Sequence, residues 1–545
     1  MIKLNNGGAI HPISIQRILN QFDEGYFALP EFQRGYVWDA PKVKDLFVSL
    51  FKKLPCGSFL MWYTKKRLAG TRGMSSLREG RDVEYILDGQ QRITSIYGVL
   101  RGTPTDEFFD GDAKAFTGLW FNYQTCAFEF FNPKKMEHSN SKWISVTDIM
   151  NFSASDLDDI KECCTKEERE NINRLLEIKF YEFPCYEIAG DFELSEIISI
   201  FNKVNTSGQK LRDTDIAIAT LCGKWDDARR ELLKMSKSFG AYYLEGMDIS
   251  LMLRCLTGYL TGSPRYKELD NIAIEDFAAA IPVCQNLISS IIDNLRTRLG
   301  LDNGKIIASK YSFVTLVYLI KTKGEKNISR QDWGKMLYWY VHSMLWGRYS
   351  ASLISNLAQD LNTISSGEGI DGLIATIKRD RGGNLAISPE DFINRGTTQS
   401  TFYPLLYMLA RVYKAKDFAK GLEVDNNLLA KNSALEVHHL FPQSRLRKPK
   451  DTDTHKPYKE ELINNIANYA LITAQTNQHI SDRDPKDYFA EYEDMLPTQW
   501  IPDDKSLWEY DRYEDFLTAR RELLSDAANK LLLSLNPEHP YTPKQ

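Results

Sequence analysis

The run LEVHHLFPQSRL at 435–446 sets two adjacent histidines in a short stretch that Pro442 closes. Its composition predicts a strand, and on a strand neighbouring side chains point to opposite faces. His438 and His439 are therefore expected to do different jobs, one able to hold a metal ion and the other able to accept a proton. Roughly thirty residues on, Asn468 starts a second strand-like run, NYALIT, and Asn477 follows nine positions later, where a helix should begin. A lone HH pair is usually two surface histidines, and Asn-rich runs are usually turns. The joint arrangement is far more restrictive: it demands a hairpin followed by a helix, with polar groups gathered where the three meet.

Composition bounds the rest. The 545 residues carry 68 basic and 73 acidic side chains, a net charge of -5, with 43% hydrophobic and 26% charged residues. That is the balance of a globular protein, which excludes disordered and collagen-like classes. The mildly negative total also argues against a protein that coats DNA by charge alone. All eight cysteines lie at or before Cys284 and none forms a CxxC pair, so neither a zinc ribbon nor a redox dithiol is indicated. No signal-peptide core and no membrane-length apolar run is present, which leads to the expectation of a cytoplasmic protein with no membrane partner.

The element pattern predicts a helix-rich α+β multidomain chain with three parts: αβ at 1–240, helical at 241–395, and a final part at 396–545. In the first part, helices are expected at 13–22 and from Pro41, strands at 58–64, 83–87 and 179–183, and a basic loop at 65–81. In the second, helices are expected at 276–299, 335–345 and 353–361, with a loop around Gly367, Gly369 and Gly372. A long helix at 515–533 ends the chain.

A second constellation sits at the end of the strand VEYIL: Asp88-Gly89-Gln90-Gln91-Arg92, running straight into a helix. A helix start offers backbone N–H groups to an anion, Arg92 adds a planar donor, and Gly89 allows a sharp turn close to a ligand. Asp88 either holds a metal or hydroxyl there or serves only as the helix N-cap. No GxxxxGK[ST] motif occurs, so the chain is not a P-loop NTPase.

The strand–HHxFP–Asn pattern resembles the HNH nucleases, whose core is a ββα-metal hairpin and helix. That resemblance implies His438 and Asn477 as ligands of a divalent metal, His439 as general base, and Asn468 as a catalytic-site brace across the hairpin. His479 is a rival ligand two residues past Asn477, and Glu436 is either a partner of the metal ligands or a plain surface residue. Arg445, Arg447 and Lys448 lie between the two halves of the motif, where a DNA backbone is expected.

PEFQRGYVW at 30–38, ILDGQQR at 86–92 and FNKVNTSGQKLRDTDIA at 201–217 resemble the signatures of the ParB/sulfiredoxin-like N-terminal domain of GmrSD-type restriction proteins. WGRYSASLISNLAQDL at 346–361 is similar to that family's helical section, and LPTQWIPDD with YEDFLTARRELL to the tail of its HNH domain. The family comprises bacterial type IV, modification-dependent restriction systems, in which the N-terminal domain binds and hydrolyses a nucleoside triphosphate and the HNH domain cuts DNA. Carried over by position, Gln33, Arg34, Asp88, Gly89, Gln90, Gln91, Arg92, Asn205 and Gly208 would form the nucleotide pocket. Tyr36 and Trp38 either stack on a base or belong to the core. The implied cofactors are Mg2+ or Mn2+ and an NTP. The implied partner is modified phage DNA, and a second copy of the chain is left open. The competing reading, from another class, is a nucleotide-binding sensor or partner-docking protein whose HNH domain is structural or inactive.

Overall fold

The computed structural model describes residues 9–30, 35–65, 71–72, 82–102, 116–136, 142–190, 192–205, 213–225, 227–242, 247–302, 304, 306–393, 400–424, 435–449 and 456–542. They form a helix-rich α+β protein of two compact units, Met1–Glu231 and Leu232–Gln545. The helical stretch 241–395 and the C-terminal stretch 396–545 both fall in the second unit.

The main sheet of the first unit has six strands: β1 (Ala9–Ser14), β2 (Phe27–Pro30), β3 (Phe59–Thr64), β4 (Thr71–Arg72), β5 (Val83–Asp88) and, far along the chain, Glu182–Ala189, in the spatial order β1, 182–189, β3, β5, β2, β4. Helix α1 (Ile15–Asp23) starts where the Ser14 side chain accepts from the Arg17 N–H, and buries Ile15, Ile18, Leu19 and Phe22 on one face. Helix α2 (Ala40–Phe51) has Asp39 as its N-cap and Pro41 in its first turn. Strand β5 lies inside the sheet between β3 and β2 and delivers Asp88 to the start of α3 (Gln90–Arg101). The expected strand at 179–183 is displaced: residues Glu177–Phe180 form a 3-10 turn and the strand begins at Glu182.

In the second unit, helices α4 (Ile249–Thr261), α5 (Ile274–Leu299), α6 (Ser312–Lys323), α7 (Arg330–Leu345), α8 (Leu353–Ser365) and α9 (Gly369–Asp380) bury apolar stripes against one another. Glycines 367 and 369 make the loop expected there, but α9 begins at once at Gly369, which a reading of glycine as a breaker misses. The WGRYSASLISNLAQDL segment is structural: Arg348 grips the fully buried Asp360 at 2.8 Å, and Tyr349 reaches the same carboxylate at 2.6 Å. These bonds satisfy a buried carboxylate that would otherwise be costly, and they tie the loop after α7 to α8.

The hairpin consists of β6 (Leu435–His439) and β7 (Tyr469–Thr473), which are antiparallel, and it leads into α10 (Ala474–Ile480). Helix α11 (Tyr513–Leu535) packs behind it. From this helix the fully buried Arg520 donates to the carbonyls of Ala467, Gln499 and Trp500, fixing the turn ahead of β7.

Candidate functional site at the hairpin and helix

The register pairs His438 with Ala470 and His439 with Tyr469, so the two histidines leave β6 on opposite sides and meet different partners. His438 is buried, and burial pushes its pKa down to about 4. The imidazole is therefore neutral at physiological pH. Its Nε2 lies 3.3 Å from the Tyr488 hydroxyl, which donates at 2.6 Å to the Leu440 carbonyl. That hydroxyl has one proton, already committed to the carbonyl, so towards His438 Nε2 it can only accept, across a long 3.3 Å contact.

Nδ1 faces Asn477 Oδ1 at 2.8 Å, and Asn477 Nδ2 donates to Glu436 Oε2 at 2.7 Å. With the proton on Nδ1 this 2.8 Å contact is a hydrogen bond from His438 to Asn477; with it on Nε2, towards Tyr488, Nδ1 and Oδ1 are both acceptors and a cation can take the proton's place between them. Two ligands at right angles on an octahedral cation with bonds of about 2.1 Å sit about 3 Å apart, so a divalent ion fits the spacing and the donor chemistry. A ligating imidazole held at its other nitrogen by a hydroxyl is also the usual support. Among the described residues no group of three or more His, Cys, Asp and Glu gathers as a metal cage. The arrangement is instead one imidazole and one amide beside a carboxylate, which leaves most positions on an ion for water and substrate.

His439 is half-buried, and burial lowers its pKa from the ordinary value. The ring packs edge-to-face on Tyr469 with centroids 4.8 Å apart. Its Nε2 is 3.2 Å from Asn464 Oδ1, and the Gln443 amide nitrogen is 3.1 Å from Nδ1 and 2.7 Å from Nε2. Asn464, Gln443 and Tyr488 escaped the sequence reading; an NN pair and a Gln after Pro carry no signal that separates them from turns.

Asn468 has no exposed surface. Its Oδ1 accepts from the Phe441 N–H at 2.8 Å, and its Nδ2 donates to the carbonyls of Phe441 and Ile463 at 3.2 and 3.0 Å. These contacts tie the end of β6 to the turn before β7. The three basic residues expected on DNA differ in setting. Arg445 is buried, 4.7 Å over the Tyr510 ring; Arg447 is paired with Glu460; Lys448 is exposed, as are Lys456 and Lys459. His479 is exposed.

In the first unit, Asp88 is not the N-cap of α3. Gly89 takes that position with φ +99°, and no side chain caps the helix. A Cβ at Gly89 would lie 2.2 Å from the Phe59 ring, so the turn accepts glycine alone. Gln90 is buried. Gln91 clamps the preceding segment: its Oε1 accepts from the Val37 N–H at 2.8 Å and its Nε2 donates to the Gly35 carbonyl at 3.1 Å. Arg92 donates to the Ser58 carbonyl and lies 3.4 Å from Asp88. Tyr36 belongs to the core, bonded to Ser95 and packed on Phe116 at 4.6 Å, and Trp38 packs against the same cluster. Gln33, Arg34, Gly208 and most of the basic loop at 65–81 lie outside the described residues. Asn205 ends the helix Leu194–Asn205.

The hairpin–helix with its His and Asn groups belongs to the second unit, and the sheet–turn–helix with DGQQR to the first. Models of the GmrSD restriction endonuclease N-terminal domain and C-terminal domain match residues 15–222 and 387–527. The chain carries both domains of that family. GmrSD-family restriction endonucleases act on modified phage DNA in bacterial defence. One relative is an uncharacterized Methanocaldococcus jannaschii protein, MJ0686, 22% identical over 538 residues that span 89% of this chain and 87% of that protein. No helix among the described residues is long and apolar enough to cross a membrane.

Proposed function

We propose that the chain is a nucleotide-regulated, divalent-metal-dependent DNA endonuclease of the HNH kind, acting on modified foreign DNA. The observation that carries this reading is the convergence of His438 Nδ1 and Asn477 Oδ1, 2.8 Å apart, with Glu436 behind the amide and the Tyr488 hydroxyl facing the far imidazole nitrogen, directly beside a second, differently held histidine. His438 and Asn477 would hold Mg2+ or Mn2+, with Glu436 behind Asn477. When bound, the ion supplies charge stabilisation at the scissile phosphate. His439, neutral and partly open, takes a proton from water. Asn468 keeps the strand carrying both histidines in place. Exposed Lys448, Lys456 and Lys459 offer charge to the DNA backbone more readily than the buried Arg445 or the paired Arg447.

In the first unit the uncapped start of α3, with Asp88, Gly89, Gln90 and Arg92, is the nucleotide site, and Gln33, Arg34, Asn205 and Gly208 complete it by family position. Gln91 holds Gly35 and Val37 beside this turn. Hydrolysis at this site would license cutting in the other unit. The test is digestion of matched modified and unmodified phage DNA with Mg2+ or Mn2+, with and without a panel of NTPs. Metal-dependent cleavage of the modified DNA, altered by one NTP, is expected. No nicking under any combination would overturn the nuclease reading, and nicking indifferent to every NTP would remove the regulatory part.

A further inference from the structure

The contacts of His439 continue beyond the hairpin. Asn464, whose Oδ1 faces His439 Nε2 at 3.2 Å, donates from Nδ2 to Glu460 Oε2 at 3.0 Å. Arg447 grips Glu460 at two points, 2.6 and 2.8 Å. The sense of this chain is set from its far end. A guanidinium only donates and an ionised carboxylate only accepts. Asn464 must therefore turn its nitrogen to Glu460 and its oxygen to His439. An amide oxygen only accepts, so it requires a proton on Nε2, and the neutral ring is left with Nδ1 bare. Tyr469, packed against the ring, limits its tilt. The Gln443 amide reaches both ring nitrogens, 2.7 Å from Nε2 and 3.1 Å from Nδ1, and singles out neither, so the sense of the ring is set through Asn464.

We propose that Asn464, held by the Glu460–Arg447 ion pair, is a positioning residue that fixes the tautomer and orientation of His439 so that Nδ1 takes the proton. The inference rests on the nuclease reading above and deepens it. It also gives Arg447 a task other than gripping DNA. In the step, a water O–H bond breaks as Nδ1–H forms, and the water oxygen attacks phosphorus. The departing sugar oxygen leaves with the pair of the broken P–O bond and takes a proton from solvent water. The Nε2 proton stays on its bond to Asn464 throughout.

The test uses the full-length protein with 15N-labelled histidine, the His439 signals being those lost in His439→Gln. Wild type should show a protonated Nε2 and a bare Nδ1. In Asn464→Ala that preference should be lost, and kcat for metal-dependent nicking should fall about 10–100-fold with KM for DNA and the thermal midpoint unchanged. Asn464→Asp alone opposes two carboxylates. Combined with Glu460→Gln, it restores a donor–acceptor link and keeps an acceptor on His439, so the pair should regain at least about tenfold of the lost rate. An unchanged tautomer or wild-type kcat in Asn464→Ala, or no recovery in the pair, overturns the proposal. The tautomer is read without DNA or metal, so failure of the positioning role is distinguishable from failure of the nuclease reading, which full-rate cleavage by His439→Ala would show.

Discussion

His438 Nδ1 and Asn477 Oδ1, one on the first strand of the hairpin and one on the helix that follows it, meet at 2.8 Å. Three neighbours surround the pair: Leu440 takes the Tyr488 proton, Tyr488 faces His438 Nε2 at 3.3 Å, and Glu436 takes a proton of the Asn477 amide. Each contact is ordinary. Their convergence leaves one place where a cation can replace the imidazole proton, and that place adjoins the only other histidine of the strand.

Replacing His439 with alanine should remove the base without touching the brace or the His438–Asn477 pair. General base catalysis contributes about 10²–10⁴-fold, so nicking of plasmid DNA with saturating Mg2+ or Mn2+ should drop by that order. DNA affinity and the thermal midpoint should stay near wild type. Cleavage at the wild-type rate would remove His439 from the reaction.

Asn477→Asp tests the metal reading through stability. Without metal, the new carboxylate meets Glu436, which accepts from the Asn477 amide at 2.7 Å in the native site. The thermal midpoint should fall. Added Mn2+ binds the folded state and should raise it, by more than in wild type, because ligation then neutralises two facing carboxylates. Midpoints of both proteins that ignore Mn2+ would show that His438 and Asn477 hold no ion.

Asn468→Ala should behave differently from either. The substitution strips partners from the Phe441 N–H and from two carbonyls inside a side-chain-packed turn. One buried group left unsatisfied costs about 1–3 kcal/mol, so denaturant unfolding should show a loss of at least that size. Activity should fall with stability. Full stability with selective loss of cleavage would mean that Asn468 acts on the substrate.

The local pattern along the chain told much about elements and little about partners. The strand around His438 and His439, the helix carrying Asn477 and the helix after DGQQR all follow from short-range rules, and they form within a residue or two of expectation. Tyr36 was undecided between base stacking and core because its neighbour Phe116 lies eighty positions away in sequence. Asn464 looked like a turn residue, since Glu460 and His439 give it meaning only once the hairpin closes. Arg447 looked like a free cation for the same reason. Asp88 was weighed as a cap, but the left-handed φ of Gly89 moved the helix start past it.

Stability of the second unit should fall on acidification. Burial pushes His342 down to about 3 and His539 to about 4. Both are neutral above the ordinary histidine value of about 6.5, folded or unfolded, so neither contributes a pH slope there. Below it the unfolded chain binds protons that the folded chain refuses, and stability falls as pH falls. Each group contributes about 1.4 kcal/mol per pH unit until its own folded pKa is reached. Urea midpoints from pH 7 to pH 4 should decline accordingly. His342→Gln keeps an acceptor for the Trp346 N–H, bonded to His342 Nδ1 at 3.0 Å, and should make the decline shallower. An unchanged slope would assign the acid sensitivity to other groups.

Gly89 and Asp88 separate folding from chemistry in the first unit. Alanine at 89 must adopt φ +99° and put its Cβ 2.2 Å from the Phe59 ring. The backbone term costs about 1–2 kcal/mol and the forced repacking about 1–3 more, so Gly89→Ala should lower the first unit's thermal midpoint and with it any nucleotide binding. Asp88→Asn is different, because the carboxylate is partly exposed and its contact with Arg92 is long, 3.4 Å. The fold should hardly notice its loss. Nucleotide affinity or turnover, followed by equilibrium binding and phosphate release across an NTP panel, should change with the midpoint unmoved. If affinity and turnover both match wild type in Asp88→Asn, and Arg92→Ala behaves the same way, the turn is a structural joint between the inner strand and its helix, and the nucleotide site must be sought elsewhere.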